Sequence, residues 1–479
     1  MVDGASLGFL RIGFGLIVAW EGIRYLDRGW VDRYYGGDEQ TFTYWPFDAV
    51  QPLPEPFRAL PWMVMILAGL WLASGIRHRA AAALCLTTVG YTLLLDKSQY
   101  LNHMYLMALL AFLLVLVPAG NALTLARRPD RPVPELTVDL IAFQLAVPYV
   151  FGGVAKLSGE WLAGRPLVAW LAASGDVPLL GPILTREPVG QALAVASTVF
   201  DLTVVWLLLW RRTRAVAFLC VVAFHVLNAR LFSIGVFPWL MILATTIFLP
   251  CDWPRRVVAT LRDPDDQRRR PTVLASLAGA AVGAWFFPTV VPVHVLVSAV
   301  GFGLTAWLVA DRRIGSPSPA AARAPAATTT DRRWRNVLVG LAAAWIAIQV
   351  TVPLRHHLAS TDVLWSEDGH RFSWRMKLRD KDGTLALTIR EPDGTERAVD
   401  LDDHLRPRQI DKMATRPDMI IQFARSLEAD AGRDIAVHAE SFVSLNGREP
   451  ARFVLADVDL TEVDTPWLGS AWYLAPPPD

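Results

Sequence analysis

The residues best suited to chemistry are a lysine and its polar neighbours, which join two apolar segments. Residues 80–95 are apolar and run into Asp96-Lys97-Ser98-Gln99-Tyr100-Leu101-Asn102-His103, and the next apolar stretch begins at once. Two membrane-length segments joined by so few residues must reverse direction, which holds Lys97 near one membrane boundary. Ionisable groups at that depth are candidates for function. Burial disfavours the charged amine, and a neutral amine in an apolar pocket is a general base. The alternative is a lysine at a helix end whose ammonium group reaches water.

A second set of polar and aromatic side chains lies where one apolar segment ends and another begins, in residues 223–241. Its members are His225, Asn228, Arg230, Phe232, Ser233 and Phe237. Polar groups among aromatic rings suit a flat, quinone-like ligand. The alternative is hydrogen bonding between helices by the histidine and the asparagine.

Two further features are interpreted as structural. Lys156 and Trp161, in residues 147–167, are typical of a membrane-boundary element with an aromatic anchor. Cys85, Cys220 and Cys251 form no C-x-x-C pair, so a zinc site and thiol redox chemistry are not expected. The adjacent histidines 356 and 357 do not share a helical face, and no metal site is predicted.

The composition is that of an integral membrane protein with a soluble appendix. The chain has 479 residues, of which 53% are hydrophobic and 19% are charged. Apolar runs of membrane-spanning length are typical of transmembrane helices. They lie near 7–25, 60–76, 80–96, 103–118, 136–155, 191–210, 214–229, 235–250, 272–290, 293–311 and 336–353. These runs predict an α-helical membrane bundle of about 9–11 transmembrane helices, in which the pair at 272–311 is the least certain. A net charge of +1 gives no reason to expect nucleic-acid binding.

The arginines orient this bundle. Loops after the even-numbered helices are rich in arginine, as in Arg127, Arg128 and Arg131, whereas the loops after odd-numbered helices mix acidic and basic residues. The positive-inside rule then places the N-terminus in the cytoplasm. Lys97 and everything after residue 354 are predicted to lie on the extracytoplasmic side of a multi-pass cell-membrane protein.

The chain divides into four parts by composition: a catalytic bundle at 1–258, an additional hairpin and linker at 259–335, a last transmembrane helix at 336–358, and a soluble domain at 359–479. The Pro/Ala/Thr-rich residues 314–334 are typical of a flexible linker. In the soluble part, residues 371–401 alternate with period two around Asp-Gly and Pro-Asp-Gly turns, which predicts a β-meander. Residues 407–430 predict one or two helices, and an Asn-Gly turn at 446–447 predicts further strands. The expected fold is a small, β-rich α+β domain.

Three of these segments carry a resemblance to one family. Residues 96–106 resemble the D-K-T-S-W-N-N-H-S-Y-L segment of vitamin K-dependent gamma-glutamyl carboxylases. Residues 153–164 resemble their A-G-V-K-K-L-D-x-D-W-x-x-G run, and residues 224–237 match F-H-x-x-N-S-Q-L-F-S-I-G-M-F at almost every position. The resemblance is strong over about 6–258 and weaker over 336–460, where Ser373-Trp374-x-Met376 falls in the region thought to present the glutamate. Their occurrence together and in order makes it specific.

The resemblance implies a reaction and a role for each site residue. Lys97 takes the position of the base that deprotonates vitamin K hydroquinone. The product reacts with O2, and the oxygenated quinone then removes a γ-proton from glutamate, which captures CO2. Asn102 and His103 would orient the hydroquinone or stabilise its oxyanion. His225, Asn228 and Arg230 would line the same cavity, with Phe232, Ser233 and Phe237 beside them.

The chain departs from the family in the glutamate region. The family's G-Y-S-W-x-M-M is replaced by Arg371-Phe372-Ser373-Trp374-Arg375-Met376-Lys377, so its tyrosine hydroxyl is missing. The composition favours a bacterial member that uses menaquinol. The leading hypothesis is therefore quinol-dependent carboxylation of a glutamate-containing protein or peptide. The alternatives are a quinol epoxidase without carboxylation and a non-enzymatic membrane transporter or scaffold.

Overall fold

The computed structural model describes residues 1–37, 40–287, 292–311, 332–358, 361–463 and 472–476. The helices before the soluble part are α1 (Ala5–Asp27), α2 (Trp30–Tyr35), α3 (Leu60–Ser74), α4 (His78–Leu94), α5 (Asn102–Leu116), α6 (Glu135–Ala155), α7 (Gly159–Leu162), α8 (Leu167–Ala172), α9 (Gly181–Leu184), α10 (Glu187–Leu209), α11 (Arg214–Leu231), α12 (Phe237–Thr245), α13 (Trp253–Arg262), α14 (Arg269–Phe286), α15 (Pro292–Ala310) and α16 (Arg332–Leu354). Residues 314–331 of the predicted linker lie outside the described residues.

The apolar runs form helices, as their composition predicts. Five described helices are long and apolar enough to cross a membrane: Ala5–Asp27, Glu135–Ala155, Glu187–Leu209, Arg214–Leu231 and Val339–Leu358. Four shorter helices are also apolar: Leu60–Ser74, Asn102–Leu116, Phe237–Phe248 and His294–Ala310. The prediction of a helical membrane bundle is confirmed, although five helices rather than nine to eleven have both the length and the hydropathy of a span. One of the shorter helices, α3, ends at Gly75, whose φ angle of 75° is left-handed.

Small residues let the bundle helices approach closely. A Cβ atom on Gly15 of α1 would lie 2.4 Å from the Gly69 carbonyl oxygen of α3, and a Cβ on Gly69 would lie 2.4 Å from that of Gly15. A similar close contact joins α14 to α15, because a Cβ on Gly279 would lie 2.5 Å from the Ser298 carbonyl oxygen. Such contacts are the usual packing mode of membrane helices. The helices α14 and α15 of the predicted hairpin therefore pack closely against each other.

The C-terminal domain is an α+β domain with one antiparallel sheet. It contains α17 (Val363–Ser366), β1 (Lys381–Arg390), β2 (Glu396–Ala398), α18 (Pro407–Met413), α19 (Pro417–Ala431), β3 (Ala436–Leu445) and β4 (Ala451–Arg452). The strand order is β2-β1-β3-β4, and β1 pairs with β3 from Lys381↔Leu445 to Arg390↔Ala436. Two hairpins are thus joined by a helical connection.

The residues of the turn after β3 have the backbone conformation that their types predict. Asn446 and Gly447 have φ angles of 54° and 77°, the left-handed conformation that a two-residue Asn-Gly hairpin turn needs. The predicted apolar face of α19 is confirmed, because Ile420, Ile421 and Phe423 are buried under the sheet with their neighbours Ala424 and Leu427. The Asn-Gly turn and the 3.6-residue period were therefore reliable signals.

The predicted meander is wrong at its first strand. Residues 371–380 form irregular structure, and β1 begins at Lys381. Phe372, Trp374 and Lys377 have φ angles of 63°, 59° and 49°, which a strand cannot accommodate. The alternation in this segment arises because it packs between the bundle and the C-terminal domain. The Asp382-Gly383 pair, predicted as a turn, lies inside β1 and pairs with β3.

The membrane orientation gives a test in intact cells. In a background without the three native cysteines, Pro392→Cys places a thiol on the exposed turn between β1 and β2. Because the positive-inside asymmetry predicts that this domain lies outside the cytoplasm, an impermeant maleimide should label it. Arg212→Cys, in the exposed loop between α10 and α11, is the matched control and should label only after permeabilisation. The reverse pattern would place the C-terminal domain in the cytoplasm.

Candidate functional site

An apolar cavity of about 280 Å³ lies between the bundle and the C-terminal domain. This volume is close to the lower end of the range of about 300–1,000 Å³ for small-molecule sites. The lining comes from α6, α10, α11, α12 and residues 376–377, and its aromatic members include Tyr149, Trp161, Trp170, Phe200, Phe224, Phe232 and Phe237. We call it the apolar cavity. Five of the sequence-predicted residues line it: His225, Asn228, Phe232, Phe237 and Met376.

A lysine and an aspartate form an ion pair in the wall of the apolar cavity. Lys156, at the end of α6, donates to Asp201 of α10 over 2.8 Å, and both residues are buried. The Lys156 ammonium group also lies 5.3 Å from the centre of the Trp161 ring and 5.6 Å from that of Phe224. Cation–π contacts and an opposite charge both compensate a buried ammonium group. The pair thus places a compensated positive charge in an otherwise apolar cavity.

His225, which lines the same cavity, has a hydrogen-bonding atom without a partner among the described residues. Its Nε2 lies 2.9 Å from the hydroxyl of Tyr149, which lies 3.3 Å from the hydroxyl of Thr245. The histidine is 2% exposed, and its Nδ1 has no hydrogen-bond partner among the described residues. A buried polar atom without a partner is costly unless a ligand satisfies it. This geometry fits a ligand with a hydroxyl or carbonyl group and a flat apolar body.

The C-terminal domain closes one side of the apolar cavity. Met376 and Lys377 line it from the irregular segment 371–380. The Lys377 ammonium group lies 5.0 Å from the centre of the Trp170 ring and 5.5 Å from that of Phe232. The two parts of the chain therefore share one cavity wall.

Lys97 lies in a second polar cluster, where the loop between α4 and α5 meets α19. Its Nζ donates to Gln422 Oε1 over 3.1 Å and lies 3.4 Å from Asp418 Oδ2. Arg371 donates to the same Asp418 oxygen over 2.8 Å. The Tyr44 ring centre is 5.9 Å from Nζ. We call Lys97, Arg371, Asp418 and Gln422 the lysine cluster.

The electrostatics of the lysine cluster favour a lysine that can lose its proton. Burial lowers the pKa of Lys97 below its ordinary value, and the Asp418 carboxylate opposes this shift. Burial alone would raise the pKa of Asp418, but the charges of Arg371 and Lys97 outweigh it and lower that pKa. Asp418 also lies in the first turn of α19, where the helix dipole favours a negative charge. A neutral amine beside a stable carboxylate can act as a base.

Asp96 explains why the loop adopts this position. It is 0% exposed, and its carboxylate accepts from the Ser98 backbone N–H over 2.7 Å and from Gln409 Nε2 over 2.8 Å. The first bond caps the short 3₁₀ turn Lys97–Gln99, and the second ties the loop to α18. Lys97 itself donates its backbone N–H to the Phe42 oxygen over 2.8 Å. The Lys97 side chain is therefore placed by a fixed backbone.

Four residues predicted to bind the quinol lie outside both the apolar cavity and the lysine cluster. His103 Nε2 lies 3.3 Å from Glu21 in the bundle interior, and Asn102 Oδ1 accepts from the Tyr100 hydroxyl over 3.1 Å. Arg230 pairs with Asp176 over 2.7 Å, and Ser233 is exposed. None of the four lines the apolar cavity. Their roles in quinol binding remain predictions.

The glutamate region connects the apolar cavity to the lysine cluster. Ser373 is buried and accepts from Arg355 over 3.0 Å. The Phe372 ring lies 5.9 Å from that of Tyr44, and the Trp374 ring lies 5.0 Å from that of Tyr105. Met376 follows in the cavity wall. Lys97 and His225, expected in one cavity, are thus on opposite sides of a strained segment whose positive φ angles are of the kind that functional sites retain.

Sequence reasoning missed several of these residues. Asp201 had a detectable signal, because it is the acidic residue inside the apolar run 191–210, and such residues mark functional positions. Lys156 was interpreted as a boundary residue rather than as part of the cavity. Asp418 and Gln422 had no local signal, since only the docking of α19 brings them to Lys97.

The fold and these sites define a membrane protein with an apolar ligand cavity that a folded C-terminal domain closes. Residues 1–253 match the family model of the HTTM domain, and residues 334–478 match that of the vitamin K-dependent gamma-carboxylase, lumenal domain. The chain belongs to the vitamin K-dependent gamma-carboxylase family, as its motifs predicted. No solved structure matches it. Among the described residues, no three His, Cys, Asp or Glu side chains are grouped to hold a metal ion.

The lysine cluster predicts a specific change in the pKa of Lys97. In Asp418→Asn, the carboxylate that opposes deprotonation is gone, so the pKa of Lys97 should fall further. Trace acetylation at a series of pH values, read by mass spectrometry, would show half-maximal labelling of Lys97 at a lower pH. Asp393→Asn, on an exposed turn, is the control and should leave the curve in place. An unchanged curve in Asp418→Asn would exclude this carboxylate as the controlling charge.

Proposed function

We propose that this protein couples the oxidation of a reduced quinone to the γ-carboxylation of glutamate in a protein or peptide, with O2 and CO2 as co-substrates. The observation that carries the proposal is the buried, unpartnered Nδ1 of His225 in an aromatic cavity. The family supplies the vitamin K-type cofactor, and the cavity has the shape and chemistry to hold its ring.

The residues of the apolar cavity bind and orient the quinol. His225 Nδ1 and the Asn228 side chain are available for hydrogen bonds to its hydroxyl groups, and Phe232 and Phe237 cover the ring. The Lys156–Asp201 pair supplies a positive charge near any oxygen that becomes anionic. When bound, the quinol reacts with O2 and provides the base strong enough for the glutamate γ-proton. The closed apolar wall keeps water from that step.

Lys97, at the position of the family's base, accepts the hydroxyl proton of the quinol on its Nζ. Because Lys97 does not line the apolar cavity, this transfer requires the quinol hydroxyl to reach it past the segment 371–377. Burial lowers the pKa of Lys97, which favours the neutral amine that this role requires. Lys156, the amine in the wall of the apolar cavity, is less suited to this role because it is paired with Asp201. The segment with Ser373, Trp374 and Met376 separates these two amines and presents the glutamate between them. Arg371 provides a guanidinium group for a carboxylate where the family has no basic residue.

The cellular setting follows from the charge distribution and the family. The five long apolar helices identify a membrane protein. We place the lysine cluster and the C-terminal domain on the extracytoplasmic face of a bacterial cell membrane, where menaquinol is the available quinol. A peptide substrate would reach the site after export.

One observation favours a second function. The tyrosine of the family's glutamate region is replaced here by Phe372, which has no hydroxyl group, so glutamate recognition differs. Quinol epoxidation without carboxylation would require the apolar cavity and Lys97, but not the recognition of a glutamate. Incubation with a reduced quinone, bicarbonate, O2 and a glutamyl peptide separates the two. Quinone epoxide without γ-carboxyglutamate supports the epoxidase, and the absence of both products supports a transporter or scaffold.

Arginine substitutions at the two amines should have opposite effects. Lys97→Arg should reduce quinone epoxide and γ-carboxyglutamate by at least about 100-fold, since a guanidinium group stays protonated and cannot accept the proton. Lys156→Arg is the matched control and should keep activity within about ten-fold, because arginine can also pair with Asp201. Both products would be quantified by mass spectrometry. Near-normal epoxide formation in Lys97→Arg would show that Lys97 is not the base.

Substitutions in the apolar cavity should affect quinol kinetics. His225→Leu or Asn228→Leu should lower kcat/KM for quinol by roughly 5- to 150-fold, the cost of one buried hydrogen bond of about 1–3 kcal/mol. The KM for a glutamyl peptide should change little. Gln144→Leu is a control, because Gln144 is buried but does not line the cavity. It donates to Gln349 over 3.2 Å. This substitution should lower the melting temperature and leave quinol kinetics unchanged. The same result for His225→Leu and Asn228→Leu would remove both residues from the quinol site.

A further inference from the structure

A second, polar cavity of about 1240 Å³ opens between the loop that follows α2 and the C-terminal domain. Its walls are formed by residues 35–58 on one side and by residues 402–430 on the other. Gln40, Thr41, Thr43, Gln51, Gln422 and Ser426 provide neutral polar groups. We call it the acidic cleft.

Carboxylates dominate the charge of the acidic cleft. Asp402, Asp403, Asp430 and Asp48 line it, and none of the four pairs with a basic side chain among the described residues. The remaining acidic lining residue, Glu55, is 2.8 Å from Arg58 and is therefore compensated. Carboxylates of one sign on opposing walls of a cleft concentrate a negative potential between them. The cleft favours a cationic occupant.

A buried tyrosine provides a second, independent indication of a ligand. Tyr35 lines the acidic cleft and is 1% exposed. Its ring stacks on Trp62 at 5.4 Å, while its hydroxyl has no hydrogen-bond partner among the described residues. A buried hydroxyl without a partner costs free energy that a bound polar group would recover.

The acidic cleft leads to the lysine cluster. Gln422 lines the cleft, accepts from Lys97 Nζ over 3.1 Å, and donates to Thr43 over 2.8 Å. The Thr43 hydroxyl in turn donates to Asp48 Oδ1 over 2.7 Å, which links an acidic residue of the cleft to Gln422. Material in the cleft is therefore separated from Lys97 by a single side chain.

The charge changes from negative in the acidic cleft to positive at the lysine cluster. At the inner end, Lys97 and Arg371 share the one carboxylate of Asp418. Arg371 Nη2 is buried and has no hydrogen-bond partner in the described part of the chain, so it can donate to a carboxylate. An anionic residue thus suits the inner end, and cationic residues suit the outer cleft.

We propose that the acidic cleft binds the basic flank of the peptide substrate, a segment in which lysine or arginine residues adjoin the glutamate to be modified. The proposal rests on the proposed function, since it takes the occupant of the cleft to be the glutamyl substrate. It adds a substrate class, because the cleft selects peptides by cationic residues near the glutamate. The segment would lie extended between the two walls, with its glutamate toward Arg371.

The test measures peptide binding separately from the reaction. Fluorescently labelled glutamyl peptides with arginine flanks, or with serine flanks, are titrated onto the full chain in nanodiscs at low salt, and the Kd is read by anisotropy. The arginine-flanked peptide should bind more tightly. The triple variant Asp402→Asn/Asp403→Asn/Asp430→Asn should weaken it by roughly ten-fold and leave the serine-flanked peptide unchanged. High salt should reduce the preference.

A charge-matched variant controls for long-range electrostatics. Asp382→Asn/Asp434→Asn/Asp457→Asn removes three exposed carboxylates of the same domain that do not line the cleft. It should leave the Kd of the arginine-flanked peptide within about two-fold, given the small effect of exposed charges. Equal weakening by both triple variants, or equal binding of both peptides to the unmodified chain, would overturn the proposal.

Product formation distinguishes this proposal from the function on which it rests. γ-Carboxyglutamate formed at a lower KM from the arginine-flanked peptide supports both. Carboxylation with the same KM for both peptides retains the proposed function and overturns the selective cleft. A binding preference that the cleft variant removes, with no product from either peptide, supports a cation-binding cleft and contradicts carboxylation.

Discussion

The shared carboxylate of Asp418 is the interaction on which this arrangement depends. It accepts from Arg371 over 2.8 Å and lies 3.4 Å from Lys97. Two cations beside one carboxylate leave the cluster with an excess positive charge whenever Lys97 is protonated. Together with burial, this excess favours loss of the Lys97 proton, since Arg371 keeps its own. The interaction also joins the bundle to α19, so the protonation of Lys97 depends on the docking of the C-terminal domain.

The irregular segment 371–377 makes the bundle and the C-terminal domain interdependent. Arg371 belongs to the lysine cluster, and Met376 and Lys377 belong to the wall of the apolar cavity. Three positive φ angles within seven residues cost conformational energy that only the surrounding packing can supply. The segment therefore has its conformation because both partners are in place. A strand here would direct alternate side chains away from one of the two sites.

The sequence was sufficient where local physics determines the outcome. Apolar length predicted the helices, the Asn446-Gly447 pair predicted a hairpin turn, and the period of α19 predicted its buried face. Alternation failed at residues 371–380, because a segment packed between two partners can alternate without being a strand. The grouping of His225, Asn228, Phe232 and Phe237 was accessible from their spacing along α11 and the loop after it. The placement of Asp418 and Asp201 was not, since both meet their lysines only through tertiary packing.

The separation of the two amines has a physical rationale. A lysine in the apolar cavity must keep its charge compensated, and Asp201 achieves this at 2.8 Å with Trp161 and Phe224 around the ammonium group. A lysine that must give up its charge needs a site that is buried but reachable by water for re-protonation. Lys97 has such a site, because Gln422 bonds to it and also lines the open acidic cleft, while the Lys97 loop is fixed by Asp96. Desolvation of the reacting groups and proton exchange with solvent are conflicting requirements. Two cavities on either side of one strained segment satisfy both.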